Sequence, residues 1–106
     1  MDRTTQVTLV AEDFVENEFG VLTRTTTERE IYADVQSVGA KEWFEGGRNG
    51  LNPEYKLRVF GPDYNGEEIV KIFGKAYTIY RTYQTRTDTL ELYVERKQGN
   101  AGVGDD

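Results

Sequence analysis

The sequence contains no cysteine and no histidine. No disulfide framework can form, and neither a Cys/His zinc site, a histidine general base nor a cysteine nucleophile is available. No apolar run approaches the ~20 residues that a membrane-spanning helix needs. The first ten residues, MDRTTQVTLV, lack the apolar core and cleavage site of a secretory signal. The expectation is a protein made and used in a soluble setting, with no membrane partner.

Basic charge is also scarce. Of 106 residues, 13 are Lys or Arg and 19 are Asp or Glu, so the net charge is −6. Nucleic-acid binding draws much of its strength from cations that neutralise phosphates. An acidic chain lacks that attraction and repels DNA passing close by. The length suits one domain with one core, expected over residues 1–97, and the Gly-containing segment 98–106 reads as a disordered tail.

Period-two alternation is the dominant pattern. Strands are predicted at Gln6–Ala11, Glu30–Val38, Pro53–Gly61, Glu67–Phe73, Ala76–Tyr83 and Asp88–Arg96. In the last, Leu90, Leu92 and Val94 share one face, while Glu91, Tyr93 and Glu95 share a face expected to be wet. Gly74-Lys75 marks a tight hairpin, and Gly61-Pro62-Asp63 and Asn65-Gly66 are turn chemistry. Only Gly39–Gly47 departs from the alternation. There Ala40, Trp43 and Phe44 fall at i, i+3 and i+4, the stripe of a short amphipathic helix. Trp43 and Phe44 are expected to anchor that helix to the sheet, and Gly46-Gly47 to end it. Residues 12–30 and 46–52 read as mobile, the first as a long hairpin with a poorly packed tip and the second as a glycine-rich loop. The fold class is therefore mostly β: a small antiparallel β-barrel of about six strands with one short helix inserted.

Catalytic chemistry is thinly represented. Glu42 with Glu45, and Glu67 with Glu68, are paired carboxylates, but nothing in their spacing shows convergence on a substrate, and a solvated face explains them better. Asp13, Glu16 and Glu18, or Asp105 and Asp106, do not follow the spacing of a calcium loop. The GGRNG run at 46–50 lacks the Lys-Ser/Thr of a phosphate loop and follows a helix instead of opening one. Tyr77, Tyr80, Tyr83 and Tyr93 cluster in the last two strands. Cross-strand packing is the first reading of them, a subunit interface the second and base stacking a distant third. No enzyme activity and no cofactor or metal is expected.

The order of the elements resembles the head-closure, or head–tail joining, family of tailed bacteriophages. The resemblance runs over about residues 5–96. It rests on the opening strand VTLV, the segment NEFGVLTRTTTE, the strand and helix IYADVQSVGAKEWFEGGR, the strand YKLRVF at Tyr55–Phe60, the G-K-x-Y-x-I element at Gly74–Ile79, and LELYVE at Leu90–Glu95. A basic R-I-x-I start is only partly present. The resemblance implies a β-barrel with one helix, assembled in the virion neck as a homo-oligomeric ring, dodecameric in the family. Portal and adaptor proteins would lie above it, a tail-completion protein below, and DNA would pass through the channel. It implies synthesis in the bacterial cytoplasm and a final place at the head–tail interface. Phe14, Phe19, Val21, Arg48 and Asn49 are the loop residues expected to meet neighbours or the channel. A tail-completion protein of the same neck is the nearest alternative, and an OB-like single-strand nucleic-acid binder is a further one.

Overall fold

The computed structural model describes residues 5–96. Strands β1 (Thr5–Glu16) and β2 (Leu22–Ser37) are followed by helix α1 (Ala40–Arg48), then β3 (Pro53–Phe60) and a single 3₁₀ turn at Gly61–Asp63. Strands β4 (Ile69–Ile72), β5 (Lys75–Arg86) and β6 (Thr89–Arg96) complete the order. The six strands close into a barrel, β1-β2-β3-β6-β5-β4, with every neighbouring pair antiparallel. The short pairing of Thr8–Val10 with Ile69–Lys71 closes the ring of strands. Closure removes the unpaired edges an open sheet would expose.

The alternation seen in the sequence explains the core. Val7, Leu9, Ile31, Ala33, Leu57, Val59, Val70, Ile72, Tyr77, Leu92 and Val94 all point inward and form one cluster. The register sets them opposite one another: Val7 faces Ile31, Leu57 faces Leu92, and Val70 lies between Leu9 and Tyr77. Each fully buried Leu, Ile or Val contributes roughly 1.5–3 kcal/mol through removal of apolar surface from water.

Antiparallel pairing also gives the barrel two distinct ends. The β2–α1–β3 connection and the β4–β5 turn share one end, and the β1–β2 and β5–β6 turns share the other. At the second end β1 and β2 outrun the rest. They pair continuously from Thr5↔Ala33 to Glu16↔Leu22, whereas β4 accompanies β1 only as far as Val10. The six residues Ala11–Glu16 and their partners thus form a two-stranded arm about 20 Å long at the usual rise per residue.

Residues 12–30, expected to be a mobile segment in the form of a long hairpin, are indeed a hairpin, and all but its turn is paired strand. The Thr-rich run LTRTTT favours extended backbone strongly enough to continue the hairpin past the barrel. The true turn is Asn17–Val21. Asn17 Oδ1 accepts the N–H groups of Phe19 (2.8 Å) and Val21 (3.0 Å), and Gly20 takes the left-handed φ of 78°. The expected loop at 46–52 is likewise shorter, because Gly46–Arg48 belongs to α1. Helix termination falls to Gly50, not Gly46-Gly47. The N–H of Gly50 (φ 80°) donates to Gly47 O at 3.1 Å and that of Leu51 to Gly46 O at 2.8 Å, a Schellman ending. The expected tail, 98–106, lies outside the described residues.

Two further expectations are corrected. Trp43 and Phe44 do not anchor α1 in the core: they are 56% and 63% exposed. The barrel fills its interior with its own strands, and α1 instead lays its buried Gly46 against Pro53, where a Cβ would overlap the proline ring. Glu91 is not on a wet face. It is buried and paired with Arg58, directly opposite it in the β3–β6 register, at 3.0 Å.

Candidate functional site

The sequence-predicted site residues divide between the two ends of the molecule. Phe14 lies on the β1 side of the arm, with Phe19 and Val21 in its turn. Phe14 is 68% and Phe19 80% exposed, and Val15, Val21 and Leu22 are exposed beside them. Arg48 and Asn49 are exposed at the C-terminus of α1, at the opposite end of β2, so the structure does not bring the two groups together. Asn49 is committed locally, its Nδ2 donating to Glu45 O at 3.0 Å. Five large apolar side chains on one short arm form an unusual concentration, because the arm has no core of its own. Its polar contacts are weak by comparison: Arg24 and Glu12 stand 3.7 Å apart on an exposed surface, where such a pair is worth roughly 0–1 kcal/mol.

The base of the arm is fixed firmly. Arg29 on β2 donates from Nη2 to Glu67 Oε2 (2.6 Å) and to Asp63 O (2.7 Å), and from Nε to Glu67 Oε2 (3.1 Å). The other Glu67 oxygen accepts the Asn65 N–H at 2.9 Å. Burial pushes the Glu67 carboxyl up, but the Arg29 guanidinium and the N–H donors outweigh it and hold it below the usual carboxylate range. Glu67 was expected on a solvated face beside Glu68; it is 7% exposed, and its role is to tie the arm's root to the β3–β4 connection.

At the other end α1 is held by polar contacts. Glu42 accepts hydrogen bonds from the Tyr80 hydroxyl and from Arg81 Nη2, the latter at 2.6 Å. Neighbouring residues of a strand normally point to opposite faces. A β-bulge between Ile79 and Arg81 leaves Tyr80 unpaired and lets both side chains reach one carboxylate. The Arg81 guanidinium also covers the Tyr93 ring at 3.9 Å, while the Tyr93 hydroxyl donates to Glu91 at 2.9 Å. Burial raises the Tyr80 and Tyr93 hydroxyls above the ordinary tyrosine value, and the bonds to Glu42 and Glu91 raise them further.

The tyrosine cluster is accordingly a packing device. Tyr77 is buried edge-on to Tyr55 with ring centroids 5.5 Å apart, Tyr80 lies 6.4 Å from Tyr93, and Tyr83 alone of the four is exposed. With Arg81 over one ring and two hydroxyls engaged by carboxylates, no stacking platform is left open around Tyr80 and Tyr93.

The groove between the arm's root and residues 65–69 is lined by Glu12, Asp13, Glu67 and Glu68, but Glu67 is already neutralised by Arg29. Among the described residues no three acidic side chains converge on a position that would hold a metal, and no helix is long and apolar enough to cross a membrane. The chain matches no protein-family model, and no curated protein is significantly similar to it.

The Glu42 lock and the Arg29–Glu67 tie leave no local signal in the sequence. Arg58 and Glu91 become recognisable as partners only once the β3–β6 register is known. The Glu42 contacts depend on a bulge that no local signal marks.

Proposed function

We propose that the chain is a structural assembly protein, and specifically a head-closure subunit that forms a ring between the portal and the tail of a bacteriophage. The observation that carries the assembly reading is the arm: a hairpin, rooted by the Arg29–Glu67 tie, that holds apolar side chains outside a core already complete without them. An exposed apolar patch held at a fixed position is what a binding surface needs. The closed barrel with a single helix agrees with the fold that the family resemblance implies. The net charge of −6 suits a channel wall past which DNA must slide without sticking.

In this reading the protein acts without catalysis or cofactor. Copies pack around the neck, the arm makes contact with an adjacent subunit, and the ring both retains packaged DNA and offers a platform to the tail. The test is genetic. Replacing Phe14–Arg24 with a two-residue Asn-Gly turn joins the paired residues Asp13 and Thr25 and shortens the hairpin within its own register. Phage carrying this change should fill their heads and then release DNA before tails attach. Normal yields of infectious particles would refute the assignment.

A further inference from the structure

Most of the large apolar side chains left outside the core gather at the two ends of the barrel. The arm carries Phe14, Val15, Phe19, Val21 and Leu22. The opposite end carries Trp43 and Phe44 on α1, in edge-to-face contact at 5.1 Å, and Phe73 on the β4–β5 turn. β2 runs from one end to the other. A 16-residue strand spans up to about 50 Å, comparable with the molecule's longest extent of 49 Å. The two apolar groups cannot cover each other within one chain.

Phe73 gives this second surface an independent sign of use. It has φ 53° and is followed by Gly74 at φ 80°, so the two form the centre of a tight hairpin turn with positive φ at both positions. Asn or Gly is strongly preferred there, and a bulky aromatic is strained. Phe73 is nevertheless 68% exposed and touches only the edge of Tyr55 among the rings near it, at 6.3 Å. The strain holds an aromatic ring outward at the end of the barrel that also carries α1.

The charges at the two ends are complementary. Along the arm Glu12, Asp13, Glu16 and Glu18 stand against Arg24 alone. Around α1, Lys41, Lys56 and Arg81 line one shallow pocket with Glu42 and Glu45, and Arg48 lies close by on the same helix. Arg81 and Glu42 neutralise each other as an ion pair, which leaves Lys41, Lys56 and Arg48 against Glu45. An acidic apolar arm thus faces outward from one end of an otherwise acidic protein, and a locally basic aromatic surface from the other.

We infer that the arm of one copy docks on the α1 surface of a second copy. Phe14 and Phe19 cover Trp43, Phe44 and Phe73, and the arm's carboxylates meet Lys41 and Lys56. The two surfaces differ, so the contact is head-to-tail, and its repetition closes a ring when the rotation per subunit allows. This inference rests on the assembly reading and specifies the contact that reading leaves open. Complementary charge sets the orientation and speeds encounter, while the aromatic rings supply the buried area.

The absence of native cysteine allows a clean test. Phe19→Cys and Phe44→Cys proteins, each checked for folding by circular dichroism, are mixed at millimolar concentration and oxidised. The control pairs Phe19→Cys with Gln6→Cys, an exposed position on the barrel wall. The mixed Phe19–Phe44 disulfide should exceed the control several-fold. Asp13→Lys with Glu16→Lys on the arm should abolish the excess, and adding Lys41→Glu with Lys56→Glu to the other partner should restore it. A Phe19–Phe44 yield no greater than the control overturns the contact. If rings are then still found in the virion neck, the assembly reading survives without this interface. A strong mixed disulfide from a protein absent from the neck would keep the contact and refute the head-closure reading.

Discussion

Arg29 and Glu67 meet at 2.6 Å across the mouth of the barrel, joining a strand to a loop 38 residues further along the chain. The carboxylate is buried and the guanidinium about one-third exposed. Arg29→Met leaves Glu67 without its cation and frees the root of the arm. Breaking a fully buried pair costs several kcal/mol; with one partner part-solvated, a loss of about 2–3 kcal/mol is expected in urea unfolding. Hydrogen exchange at Val10–Asp13 and Thr25–Glu28 should quicken in the same variant, since the arm loses its tether.

The same pair makes the protein acid-sensitive. Glu67 and Glu91 are both held below the ordinary value of 4.5 by hydrogen bonds and cations that outweigh burial. A carboxyl with a depressed folded pKa contributes stability that is complete above its unfolded value and is lost as pH falls through the folded one. Tm should therefore be level down to about pH 5 and drop below about pH 4.5. Glu67→Gln and Glu91→Gln together should lower Tm at neutral pH and flatten the acid slope. An acid slope unchanged in the double variant would contradict this.

Glu42 is expected to be what keeps α1 on the barrel. Glu42→Ala removes the acceptor shared by Tyr80 and Arg81 and should cost about 1–2 kcal/mol. The Tyr80 hydroxyl is raised by burial first and by Glu42 second, so losing Glu42 returns it part of the way toward 10. Phenolate absorbance in an alkaline titration should then appear earlier than in the parent protein. A titration curve identical to the parent's would show that Glu42 does not hold Tyr80.

Gly46 provides a steric probe of the same helix. A methyl group there meets the Pro53 ring, which cannot swing aside. Gly46→Ala should destabilise by about 1–3 kcal/mol despite alanine's better helix propensity. Gly47→Ala, in open space one residue on, should be neutral or slightly stabilising.

The barrel was legible in the sequence because its core obeys period two. Leu57 and Val59, Leu92 and Val94, and Val7 and Leu9 could each be assigned inward without knowing their partners. The arm was legible only as a long hairpin of undefined extent, because residues 12–27 have no buried face and so no alternation to mark where its strands begin and end. Its threonines supply only a propensity, and the hairpin register does the rest. The i, i+3, i+4 pattern in α1 located the helix correctly but misassigned its face. A stripe on a nine-residue helix reports only that Ala40, Trp43 and Phe44 lie together, and here it is a glycine that meets the barrel. Phe14, Phe19 and Val21, expected in a surface segment, are exposed, whereas the carboxylates that fix the arm and the helix depend on long-range pairing.

The most direct measurement is an image of the particle neck. Cryo-electron microscopy of virions produced from the genome that encodes this chain should resolve a ring of six-stranded barrels between portal and tail, each extending its hairpin onto the neighbouring subunit. A neck whose density is fully accounted for by other proteins, with this chain absent from purified particles, would contradict the account.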